Sequence, residues 1–268
     1  MRALSISTAW EETKAILARD GKLFAAVALA LIVLPQVVLA VVGTPIGPEA
    51  NALSRIVYVA ALLLGLVSQI AFNRLAIGPS VTVAEAISQG LLRLLPVFVT
   101  LIVVAFVVVL VTVLVAAAIG GAKLAAIESS GQPPAFLVAI LLVLLVLVFA
   151  ILQLIFPLAA IETGNPLRLV ARSWQLARKH YLRLLAFIII VFVGLGAVVV
   201  ATQLGAGSLI ILLLGRPSPA SMSALLLGLV SGVLQAAFTV VTAAMLARIY
   251  VQLTARGGPQ SSVPSSGI

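Results

Sequence analysis

The chain has 268 residues, of which 63% are hydrophobic and 9% charged, with sixteen Lys and Arg against seven Asp and Glu. A soluble domain carries about a quarter charged residues, so this composition excludes an ordinary globular enzyme, a disordered chain and a nucleic-acid-binding domain. It describes an all-α polytopic membrane bundle, and it makes membrane lipid, not nucleic acid, the partner of the excess positive charge.

Charge-free windows locate the spans. They cover residues 23–48, 56–73, 94–122, 129–161, 184–215 and 217–247. A bilayer core about 30 Å thick needs roughly 20 apolar residues of helix. Six transmembrane helices are therefore expected near 23–42, 53–73, 94–119, 136–161, 182–204 and 221–247. Residues 205–215 either extend the fifth helix or cap it at the interface. The acids Glu11, Glu12 and Asp20 are foreign to a signal-peptide leader. The domain reading is one integral membrane unit over 1–256, followed by a disordered tail over 257–268.

Each pair of spans follows a segment with a helix-start signal. Thr8-Ala-Trp-Glu11 and Thr82-Val-Ala-Glu85 have capping-box form, and Asn165-Pro166 offers a cap and a first-turn proline. The starts lie 74 and 84 residues apart. Three pseudo-repeats are expected, near 8–75, 82–160 and 165–254, each with a cytoplasmic interfacial amphipathic helix and two spans. In the third segment Leu167, Val170, Trp174, Ala177 and Tyr181 follow helical spacing, with Arg168, Arg172 and Lys179 on other faces. Such a helix lies in the headgroup layer, apolar face inward and cations on phosphates.

Orientation follows from counting cations. Arg2, Lys14, Arg19, Lys22, Arg74, Arg93, Arg168, Arg172, Arg178, Lys179, Arg183, Arg248 and Arg256 fall on one side of the six-span arrangement; Arg55, Lys123 and Arg216 fall on the other. The positive-inside rule then places both termini in the cytoplasm of a bacterial inner membrane.

The third segment also carries a family resemblance. The stretch Pro157-Leu-Ala-Ala-Ile-Glu162-Thr-Gly164-Asn-Pro166, continuing through Ala171-Arg172-Ser173-Trp174 to Arg183, resembles the membrane domain of glycerophosphoryl diester phosphodiesterases and its stand-alone bacterial relatives. Tyr250-Val-Gln252-Leu253 stands where that family has a Tyr-x-Asp-Leu-like segment, with Gln252 in place of the acid and Arg256 following. The resemblance covers roughly the last 110 residues by motif and the first half by architecture. It implies a six-helix integral membrane domain. It does not imply phosphodiesterase activity, which in that family belongs to a separate soluble domain.

No catalytic set emerges. The chain has one histidine, His180, and no cysteine, so neither a metal site nor a cofactor is expected. Ser208, which follows Gly205-Ala-Gly207, has no base on its side of the membrane. Glu162 is expected to pair with Arg172 across the Gly164-Asn165-Pro166 turn and pin the third amphipathic helix to the bundle. Gln69, Gln153, Gln203 and Gln235 are expected to hydrogen-bond between helices. Gly228 and Gly232, within a series of small residues four apart, are expected to pack against a helix of the bundle, or alternatively at a dimer interface.

The functional expectation is a non-catalytic membrane module that organises lipid or partner proteins. Its contacts would be Arg168, Arg172, Trp174, Arg178, Lys179 and Arg183, and its partners anionic lipid, another membrane protein or a second copy. The alternative is a transporter or channel for a lipid-like or apolar substrate.

Overall fold

The structure is a computed structural model that describes residues 6–43, 50–78, 81–130, 135–161, 166–178 and 181–254. Side chains at 116, 118–130, 135–137, 140, 145, 147, 149–151, 166 and 167 lie outside the description. Every regular element among the described residues is helical. These are α1 (Ile6–Ala28), a π-helical turn (Leu29–Val33), α2 (Leu34–Val42), α3 (Ala52–Ile77), α4 (Val83–Ser130), α5 (Ala135–Leu152), α6 (Ile155–Ile161), α7 (Pro166–Ala177), α8 (Tyr181–Leu214) and α9 (Met222–Thr254).

Among the described residues, five helical stretches are long and apolar enough to cross a membrane: Ile6–Val42, Ala52–Ile77, Val83–Val115, Tyr181–Leu214 and Met222–Thr254. Their outward faces carry large apolar side chains, including Leu92, Leu95, Ile102, Phe106, Ile190, Val193 and Leu204. Apolar surface on that scale needs a hydrocarbon solvent, so the chain is a membrane-spanning helical bundle.

The expected fourth span, 136–161, is not one helix. It divides into α5, with 18 residues, and α6, with 7. The break is buried, with Gln153 7% exposed and Leu154 fully enclosed. Non-helical backbone at membrane depth is tolerated where protein surrounds it. Pro157 falls in the first turn of α6, where its missing N–H removes no helical bond. Residues 205–214 extend the fifth expected span as part of α8.

The first two amphipathic segments differ from expectation in another way. They are not separate helices, because α1 and α4 run unbroken from them into the spans. Thr82 caps α4 as its sequence form requires, accepting from Glu85 N–H at 3.2 Å. Thr8 lies inside α1, which is already helical at Ile6. Only the third segment, α7, stands apart.

The first span contains a wide turn in which Leu34 N–H reaches the Leu29 carbonyl. Pro35, second in α2, explains it. A proline ring presses on the carbonyl four residues back, and a π turn opens the room.

α9 is the hub, packed against α1, the π turn, α2, α3 and α8. Its small residues Ala224, Gly228, Gly232 and Ala236 are buried, four apart. A Cβ on Gly228 would stand 2.7 Å from Ala40 Cβ, and one on Gly232 would stand 3.0 Å from Val33 Cα. The absent side chains let α9 and the first span touch backbone to backbone. Phe24 of α1 stacks on Phe72 of α3, with centroids 5.9 Å apart, and Phe192 of α8 meets Phe238 of α9 edge-on at 5.1 Å.

Candidate functional site

One end of the bundle gathers the start of α1, the end of α3, the start of α4, α6, α7, the start of α8 and the end of α9. Three long-range polar contacts tie it together. Arg74 stands 3.8 Å from Glu85 and Arg248 stands 3.9 Å from Glu12. Arg93 Nη1 donates to the Ala159 carbonyl at 3.1 Å. That carbonyl is in the last turn of α6, and the guanidinium charge suits a helix C-terminus. All these cations belong to the set counted on one membrane side. At the opposite end Ala220 N–H donates to the Val41 carbonyl, joining the segment before α9 to the last turn of α2.

α7 docks on this end through Leu169, Ser173 and Ala177, all buried, with Leu176 beside them. The Ser173 hydroxyl donates to the Leu169 carbonyl at 2.8 Å, so its burial leaves no unmet donor. This contact face lies beside the predicted apolar face and shares Ala177 with it. The predicted face holds Trp174, which is 51% exposed, and half-buried Val170. Arg168 and Arg172 are exposed as well. At 3.6 residues per turn they lie roughly 120–160° round the helix from Trp174. α7 thus presents three faces: one to the bundle, one aromatic and one cationic.

Arg178, just past α7, and Arg183, in the first turn of α8, are also exposed. Lys179 and Glu162 lie outside the described residues, and the Glu162–Arg172 pair with them. Gln203 and Gln235 face outward, in contrast to the expected helix-to-helix role. Gln69 Oε1, Asn73 Oδ1 and Thr242 Oγ1 are buried without a hydrogen-bond partner among the described residues.

A cavity of about 470 Å³ opens between α1 and α9 at the same end, lined by Glu12, Ala15, Ile16, Arg19, Arg248, Val251 and Gln252. Sequence reasoning missed it. Glu12, Ile16 and Arg19 share one face of α1 at helical spacing, which was legible; their meeting with Arg248, more than 200 residues away, was not.

No group of three or more His, Cys, Asp or Glu is placed to hold a metal among the described residues. A family model described as a domain of unknown function, DUF7847, matches residues 4–253. No curated protein matches the chain, and no solved structure does.

Proposed function

The chain belongs to the DUF7847 family, and from that premise we propose that it is a non-catalytic integral membrane protein that organises anionic lipid at its cytoplasmic face. In this reading α5 with α6 forms the fourth of six spans. Both termini are cytoplasmic, and the membrane is the bacterial inner membrane. The resemblance to the membrane domain of glycerophosphoryl diester phosphodiesterases supports reading the chain as an integral membrane module.

The observation that carries the reading is the division of α7 into a docked face, a half-exposed Trp174 and exposed Arg168 and Arg172. A helix fixed in the headgroup layer puts its aromatic side into the acyl boundary and its guanidiniums on phosphates. Each cation near an anionic leaflet is worth about 1 kcal/mol. Replacing Arg168, Arg172, Arg178 and Lys179 with Gln should therefore reduce the enrichment of phosphatidylglycerol over phosphatidylcholine around the protein in mixed nanodiscs. Lipid analysis of the purified particles reads it. Equal enrichment in the variant would refute the proposal.

The broken fourth span and the unpartnered Gln69, Asn73 and Thr242 atoms favour a second reading, transport of a lipid-like substrate. Lipid flux in proteoliposomes, lost on Asn73→Leu, would establish it in place of the first.

A further inference from the structure

We propose that the cavity between α1 and α9 holds the phosphoethanolamine headgroup of a membrane lipid, with its phosphate on Arg248 and its ammonium on Glu12. At about 470 Å³ the cavity lies in the size range of small-ligand sites.

An unmet donor points to the phosphate. Arg248 Nε is buried and hydrogen-bonds to nothing among the described residues. Its nearest carboxylate oxygen, on Glu12, is 3.9 Å away, beyond the range of roughly 2.7–3.2 Å for such a bond. A buried charged donor left without an acceptor is unfavourable, and phosphate oxygens match a guanidinium in charge and geometry.

Charge balance points to the ammonium. Arg19 on the cavity wall is already matched by Asp20, which accepts from Arg19 Nε at 3.0 Å and Nη2 at 2.7 Å. Arg248 is matched by Glu12 at long range. The charges of Glu12, Arg19, Asp20 and Arg248 therefore balance among the described residues. An anionic headgroup would add a charge with no counterpart, whereas a zwitterion offers its phosphate to Arg248 and its ammonium to Glu12. Glu12 is well exposed and accepts from a three-donor ammonium.

Depth points to a lipid. Arg248 is the first charge after the apolar window 217–247, and Glu12 and Arg19 precede the window 23–48, so the cavity sits at headgroup level. Ile16 and Val251 give it apolar walls where acyl chains begin. The inference rests on the membrane-spanning fold and not on α7.

The test uses the full chain in detergent, titrated with dioctanoyl phosphatidylethanolamine, phosphatidylglycerol and phosphatidylcholine, and with free phosphoethanolamine. Native mass spectrometry counts what is bound. We expect one phosphatidylethanolamine, held about tenfold more tightly than either other lipid. Arg248→Gln should weaken it by about tenfold, and Glu12→Gln should abolish the preference for ethanolamine over choline. The α7 variant Arg168→Gln/Arg172→Gln should leave both unchanged. Phosphatidylglycerol binding as tightly as phosphatidylethanolamine would overturn the proposal. So would indifference to Glu12→Gln, which decides the matter even if Arg248→Gln does not fold. Free phosphoethanolamine binding as tightly as the lipid would replace the lipid by a soluble ligand and overturn it likewise.

Discussion

Gly228 and Gly232 show how much a single missing methyl can decide. With Ala40 Cβ 2.7 Å from where a Gly228 Cβ would stand, Gly228→Ala must push α9 off the first span. Overpacking of this kind typically destabilises by about 1–3 kcal/mol. Gly205→Ala, with nothing within 4 Å of the added carbon, should be neutral or slightly stabilising. Thermal unfolding of the two variants in detergent separates them. Arg93 is the second decisive residue. Arg93→Met removes the Arg93 hydrogen bond to the Ala159 carbonyl, at about 1–3 kcal/mol. Amide exchange over Ile155–Ile161 should accelerate in that variant while α9 stays protected. The small-residue series was readable in the sequence because its spacing is local. The role of Arg93 was not, since its acceptor lies 66 residues away.

Helices that the sequence separates turn out to be joined, and one that it joins turns out to be broken. Gly21 and Gly90 are too weak as breakers to part the charged segments from the spans that follow, so α1 and α4 continue through them. Gln153 and Pro157 were the visible signs of the break between α5 and α6, hidden by an otherwise unbroken apolar run. The π turn left no periodic signature; Pro35 alone hinted at it. α7 is the element whose placement in the bilayer can be measured directly. The chain has two tryptophans, so Trp10→Phe leaves Trp174 as the single indole. Its fluorescence should be quenched more by lipids brominated near the headgroup than by those brominated near the chain ends. The reverse order would remove α7 from the interface.

For the molecule as a whole, composition and charge spacing made the membrane class and most spans legible, because desolvation constrains every residue in the bilayer alike. The ends of the bundle were less so, since their structure depends on contacts between distant segments such as Glu12 with Arg248. Sidedness is open to a clean measurement in a chain without cysteine. Ser7→Cys and Ser261→Cys should react with an impermeant maleimide only from the cytoplasmic side, and Ser218→Cys only from the other. Labelling of Ser7→Cys and Ser261→Cys from opposite sides would reverse the orientation of half the bundle.

The contact between Val33 and Gly232 also carries a consequence for how the protein is made. Its two partners leave the ribosome about 200 residues apart, or on the order of 10–40 s of translation. Throughout that interval the first hairpin has no α9 to close against. The nascent protein therefore needs either a holding insertase or lipid alone to shield an unfinished seam until its last helix arrives.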